Sequence, residues 1–281
     1  MLVKPHAGSG GLPVLPIAST DGARAEVYLH GAHVSSWLPA GSADERLFLS
    51  AHSRFSSQAA IRGGIPVCFP QFADQGSLPP HGFARVSTWT PVDDRDERPG
   101  VVRLRLAESD ATLAQWPHAF RLELRIEVSS RTLALRLTVK NPGATPFGFT
   151  AALHTYLRIH DVHQLRIQGL RGARYRDKVT REDDVLEAAE AMAIHGEVDR
   201  VYHAAPSEVL VQEPGRAVSI RTTGFPDTVI WNPGPARAAA MSDMEPGGWI
   251  RMVCVEAAAA RAPLTLAPGQ RWEGGQTLVA A

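Results

Sequence analysis

Three features of this 281-residue chain predict an all-β fold, a large antiparallel β sandwich with few short helices. Apolar and polar residues alternate in run after run, the period-2 pattern of strands with one buried face. Gly and Pro punctuate nearly every gap between those runs. Helical signals are few. No self-similar period marks a propeller and no composition break marks a linker, so residues 1–281 read as a single domain of two stacked sheets.

In chain order, the first candidate strands are Ala25–Leu29 and Leu47–Leu49. The clearest alternation follows: Val101–Leu106, Phe120–Val128 and Leu133–Val139, the last stopped by Asn141-Pro142-Gly143. Phe149–Leu157 is strand-like and uncharged apart from a histidine. Later candidates are Leu165–Ile167, Glu208–Val211, Ala217–Arg221, Thr228–Trp231, Arg251–Glu256 and Gln276–Ala280. Ser109–Gln115 can form a turn or two of helix. Glu182–Ala193 has the best helix propensity, although Val185, Leu186, Ala188, Ala189 and Met192 form a weak apolar stripe.

Composition excludes several functions. The chain carries 29 basic and 29 acidic residues, so nothing favours nucleic acid or an anionic membrane. Two cysteines, Cys68 and Cys254, each in an apolar run, read as buried thiols rather than a disulfide scaffold. The N-terminal segment lacks the apolar run of a signal peptide, and no stretch approaches the length of a membrane span. A cytoplasmic protein is expected. The even charge and the absence of a heptad seam predict a monomer.

The segment Ile61–Arg85 is the most unusual part of the chain. It holds four Gly, four Pro and three Phe, but only three formal charges, Arg62, Asp74 and Arg85. Arg forks suit phosphate or carboxylate, and Gly63-Gly64 can turn main-chain N–H groups toward an anion. The segment predicts a pocket wall for a small anionic ligand.

Other residues carry two readings each. His154, in an uncharged strand-like run, is either a hydrogen-bonded core residue or a group with a tuned pKa. Glu256 closes an apolar run: it is either a strand-end carboxylate in solvent or a base in a cavity. Trp231, before Asn232-Pro233, is core or a platform for a sugar face. Asp199, in a polar loop, is a turn residue or an acceptor for sugar hydroxyls. The pairs His30/His33 and His160/His163 have i,i+3 spacing, which places strand side chains on opposite faces, so no metal site is predicted. No P-loop, GxGxxG or GxSxG pattern is present, and no cofactor is expected.

Seven segments in order resemble the aldose 1-epimerase (mutarotase) superfamily, and within it the glucose-6-phosphate 1-epimerases. They are RGGIPVCFPQF (62–72), HGFAR (81–85), LHTYLRI (153–159), GLRGARYRDKV (169–179), GEVDRVY (196–202), DTVIWNP (227–233) and MVCVEA (252–257). The resemblance implies the galactose mutarotase-like sandwich and interconversion of the α and β anomers of a hexose 6-phosphate, a small-molecule sugar phosphate. It implies His154 and Glu256 as the catalytic pair, Arg62 and Arg85 at the phosphate, and Asp199 at the sugar. His81 is given a supporting role in the pocket. Relatives often carry Gln where this chain has Pro80, so a side-chain hydrogen bond is expected to be lost there. In the expected chemistry, ionised Glu256 and protonated His154 act from opposite sides of the sugar. The competing functions are a non-catalytic carbohydrate-binding sandwich, a mutarotase of unphosphorylated aldoses, and a retaining glycosidase. The last would need two closely spaced carboxylates.

Overall fold

The structure is a computed structural model that describes residues 4–92, 98–204 and 206–281. Three sheets account for the described strands, one of four strands, one of eight and one of nine, and all strand pairs are antiparallel. The nine-stranded sheet contains the most regular alternation. In Arg121–Ser129 and Thr132–Lys140, Leu122, Leu124, Ile126, Leu133, Leu135 and Leu137 are buried and the residues between them are not. These side chains face the eight-stranded sheet across one large apolar core. The four-stranded sheet, His6–Ala7 to His33–Leu38, adds Leu15, Val27, Val34 and Trp37 to that core.

The eight-stranded sheet is covered on both faces, and this is what builds the site. Its strand Met252–Leu266 is buried from Met252 through Ala260. Alternate residues divide between two environments. Val253, Val255 and Ala257 join the inter-sheet core. Met252, Cys254 and Ala258 join a second cluster on the opposite face with Cys68, Tyr156, Val229 and Trp231. Period-2 geometry therefore sends Glu256 to that second face. Gln276, on the neighbouring sheet, ties the layers together: its amide donates to the Val255 carbonyl at 3.0 Å, and Thr155 Oγ1 donates to its oxygen at 2.5 Å.

The sequence expectations hold for most strands, with shifts of a residue or two at their ends, although the last strand begins at Arg271, five residues before the expected Gln276. Three differ in kind. Leu47–Leu49 forms only isolated bridges, Leu47 to Leu157 and Leu49 to Gly63. Phe149–Leu157 is broken into Phe147–Leu153 and Tyr156–Arg158, with His154 in the break. Arg251–Glu256 is only the start of a fifteen-residue strand, so Glu256 is interior rather than terminal.

Glu182–Ala193 is not a helix. Val185–Leu186 pairs with Arg174–Asp177, and Ala191–Met192 pairs with Arg166–Gln168, at the edges of two different sheets. Buried Glu187 accepts from the Tyr202 hydroxyl at 2.9 Å and from Arg200 at 3.2 Å, and these bonds override a weak helical stripe. Ser109 does cap the short helix Asp110–Gln115, as its sequence predicts.

Candidate active site

A cavity of about 530 Å³ opens over the second face of the eight-stranded sheet. Arg62, His81, Arg85, His154, Asp199, Trp231 and Glu256 all border it, so every candidate site residue reaches one place. Strand register explains the convergence. Asp199 lies opposite Trp231, Trp231 opposite Cys254, and Cys254 opposite Tyr156 on successive strands. One row further along, Val229 lies opposite Glu256.

His154 and Glu256 are adjacent. The His154 Nε2 to Glu256 Oε1 distance is 3.3 Å, and both residues are buried. The His154 main-chain N–H donates to the Pro66 carbonyl, and its ring stacks on Tyr156 at 4.8 Å. Burial pushes the Glu256 carboxyl well above its ordinary range, and nearby Asp199 adds to the effect while Lys178 opposes it. Burial pushes the His154 imidazole well below its ordinary range, helped by His81 and the pocket arginines. Both groups thus lean toward their neutral forms, which differs from the ionised pair expected from sequence. The reason is desolvation, which penalises either separated charge. The pair also sits on one side of the cavity rather than on opposite sides of a ligand. That suits a hemiacetal, whose O1 and O5 share one carbon.

His81 occupies a left-handed backbone conformation, φ 67°, and its ring meets the His154 ring edge-on at 5.3 Å. The Ala73 N–H donates to its Nδ1 at 3.4 Å, and the Cys68 thiol lies 3.3 Å from the same atom. Burial, reinforced by Arg85, depresses its pKa to about 3. Burial also raises the Cys68 thiol pKa, so Cys68 stays protonated and its S–H can donate to the Nδ1 that already accepts from Ala73. With Nδ1 held as an acceptor, the neutral ring carries its proton on Nε2.

The arginines are more constrained than their sequence context suggests. Arg62 Nη1 donates to the Tyr156 hydroxyl at 2.9 Å, and its Nη2 pairs with Asp243 at 3.1 Å. Arg85 Nη2 donates to the Pro80 carbonyl at 2.6 Å. Position 80 therefore acts through its main chain, which proline supplies as well as glutamine. The Gly63-Gly64 pair does not form the expected anion nest. The Gly64 N–H donates to the Phe48 carbonyl at 2.7 Å. At φ 56°, a Cβ on Gly64 would lie 2.2 Å from the Val34 carbonyl oxygen, so close packing is what demands glycine.

Asp199 is not in a loop but on the strand Val198–His203, buried and paired with Lys178 at 3.1 Å. Burial raises its pKa, against the opposing charge of Lys178. Trp231 meets His154 and Tyr156 edge-on at 6.0 and 5.9 Å. Lys178 and Arg237 also border the cavity and were not picked out from sequence. Lys178 lies within the GLRGARYRDKV segment, and Tyr156 within LHTYLRI two residues after His154, so both were inside segments already singled out.

A buried carboxyl–imidazole pair lies beneath four cationic side chains on an antiparallel β fold, a site equipped for acid–base chemistry. The aldose 1-epimerase family model matches residues 13–278, and the chain belongs to that family. It is 37% identical over 261 residues to the "Putative glucose-6-phosphate 1-epimerase" of Cenchrus ciliaris, covering 89% of this chain and 79% of that protein. The protein of the same name from Escherichia coli K12 is 36% identical over 240 residues, covering 84% and 79%. A crystal structure of a "putative mutarotase" from Salmonella typhimurium superposes with a TM-score of 0.87 at 32% identity, covering 96% of this chain and 90% of that one. No helix among the described residues is long and apolar enough to cross a membrane.

Proposed function

We propose that this enzyme interconverts the α and β anomers of a hexose 6-phosphate, glucose 6-phosphate first among them. The observation that carries the reading is the buried His154–Glu256 pair at 3.3 Å on the floor of a cavity bordered by Arg62, Arg85, Lys178 and Arg237. The names of the relatives supply the sugar phosphate. Balanced charge and two buried free thiols support the reading of a cytoplasmic monomer.

The pair shares one proton. With the proton on His154, Glu256 accepts the O1 proton while His154 donates to O5, and the C1–O5 bond breaks. The product is the open aldehyde, with a protonated Glu256 and a neutral His154. Rotation about C1–C2 presents the other carbonyl face. Closure runs the transfers in reverse, Glu256 returning its proton to O1 and His154 taking the O5–H proton. Burial favours the neutral pair, the form that follows opening, so the ionised form that starts opening is the higher of the two protonation isomers and desolvation drives the first transfer forward. The His81 Nε2–H is a donor for a sugar hydroxyl, Asp199 an acceptor, and Trp231 a flat apolar edge.

Arg62 and Arg85 anchor the phosphate and place C1 over the pair. Phosphate competes with Asp243 for Arg62, so the anchor is tuned rather than maximal. The test is anomer-resolved NMR on glucose, galactose and their 6-phosphates. Catalysed exchange is expected for the 6-phosphates, and Arg62→Ala or Arg85→Ala should reduce it far more than any exchange of free sugar. Equal losses on both kinds of sugar would remove the phosphate assignment, and no acceleration of any sugar would leave only a carbohydrate-binding sandwich.

A further inference from the structure

Cys254 takes part in no step of the mechanism, yet it lies buried directly beside the His154–Glu256 pair. It is fully buried and two residues before Glu256 on the same strand, so both side chains share one face. Its Sγ, a ring nitrogen of His154 and a carboxylate oxygen of Glu256 all lie within 4.8 Å of one another. Glu256 Oε2, on a residue only 2% exposed, has no hydrogen-bond partner among the described residues. A thiolate, an imidazole and a carboxylate around one point is a ligand set for zinc. Tetrahedral zinc with N and O ligands at about 2.0–2.2 Å holds those atoms roughly 3.4 Å apart. The His154–Glu256 separation of 3.3 Å already matches that spacing.

We propose that His154, Cys254 and Glu256 form an inhibitory site for a borderline-soft divalent cation, with Zn²⁺ as the type ion and the cavity supplying the fourth ligand. Coordination displaces the thiol and carboxyl protons to solvent. The two anionic ligands then balance the charge of the ion, which spares it repulsion from the pocket arginines. The ion occupies the lone pairs that would move protons, so binding blocks turnover. Mg²⁺ and Ca²⁺, which need about six or more oxygen ligands, are not accommodated.

The test uses Co²⁺ as a spectroscopic probe on the full chain. A sulfur-to-cobalt charge-transfer band is expected in the near ultraviolet, abolished by an equivalent of Zn²⁺ and unaffected by Mg²⁺. Cys254→Ser should remove the band and weaken Zn²⁺ inhibition by at least about 10-fold, the loss seen even for outer-shell partners of metal ligands. Cys68→Ser should leave both intact. A band that survives in Cys254→Ser, or Zn²⁺ inhibition that is unchanged there, overturns the proposal. Glu256→Gln is the second variant: cobalt affinity should fall by a similar factor, and an unchanged affinity overturns the site. The cobalt band does not depend on which sugar is the substrate, so it stands or falls apart from the anomerase reading.

Discussion

Glu256 is held where burial and the Asp199 carboxylate both oppose its ionisation. That arrangement carries a cost that substitution can expose. A carboxyl whose folded pKa is raised binds its proton more tightly in the fold than in the open chain. The resulting stability is fully present below the unfolded value near 4.5 and is lost as pH rises through the folded value. Glu256→Gln removes the titration while keeping the shape. Turnover on glucose 6-phosphate should fall by at least about 10²-fold. The melting temperature at pH 7.5 should rise relative to wild type, by about 2–4 °C for each ~1 kcal/mol recovered, and the difference should vanish near pH 4. Near-normal turnover in this variant would take Glu256 out of the proton-transfer role. A melting temperature that falls at every pH would mean that the carboxylate is stabilised by contacts beyond those described. His154 and Glu256 were legible in the sequence because each interrupts an otherwise uncharged run. Cys254 was not, because a cysteine among apolar residues looks the same whether it faces the core or the site.

At the scale of elements, the position of each site residue is set by strand register and by close backbone approach. Arg62 is carried by a segment whose glycines let it thread between neighbours: Gly64 packs against the Val34 carbonyl and the His33 ring. Gly64→Ala therefore combines a strained backbone, φ 56°, with a Cβ 2.2 Å from a main-chain oxygen that cannot yield cheaply. A loss of several kcal/mol is expected, since backbone strain alone costs about 1–3 kcal/mol. Gly247 has a similar φ of 71° but nothing within 4 Å of its Cβ, so Gly247→Ala should cost only about 1 kcal/mol. Chemical denaturation of both variants checks the contrast, and equal losses would remove the packing argument. The sequence signalled these glycines but pointed to the wrong cause, an anion nest, because close approach is invisible without the neighbouring strand. The same limit explains Glu182–Ala193, whose propensity is helical but whose main chain is recruited by two sheet edges. Lys178 and Asp243 belong here too. Their roles come from the cross-strand pairing with Asp199 and the ion pair with Arg62, and neither is local in sequence.

The molecule as a whole holds three buried imidazoles that favour their neutral form, two of them bordering the site. His33 is 1% exposed, and burial, with His30 and Arg85 adding to it, depresses its pKa to about 3. His81 is likewise depressed to about 3, and His154 lies well below its ordinary range. A depressed folded pKa contributes stability that is present above the unfolded value of 6.5 and is lost as pH falls toward the folded value. Each of the three histidines takes up a proton on unfolding in that range. Glu256 releases one above pH 4.5, so the net uptake approaches two. Two protons correspond to roughly 3 kcal/mol of stability lost per pH unit. Over the two units between pH 6.5 and 4.5 the loss rivals the whole stability of a typical domain, about 5–15 kcal/mol. Ordinary carboxylates, with values of about 4, protonate mainly at the lower end of that window and below it. The expected outcome is a melting temperature that drops steeply from about pH 6 downward, before most surface carboxylates titrate. His33→Gln, which removes one of the three titrations, should flatten the slope by roughly 1.4 kcal/mol per pH unit even if it lowers stability at pH 7.5. A melting temperature that stays level from pH 7 to pH 5 would show that the cavity admits enough water to let these rings titrate normally. It would also return His154 to the cationic acid that the sequence alone suggested.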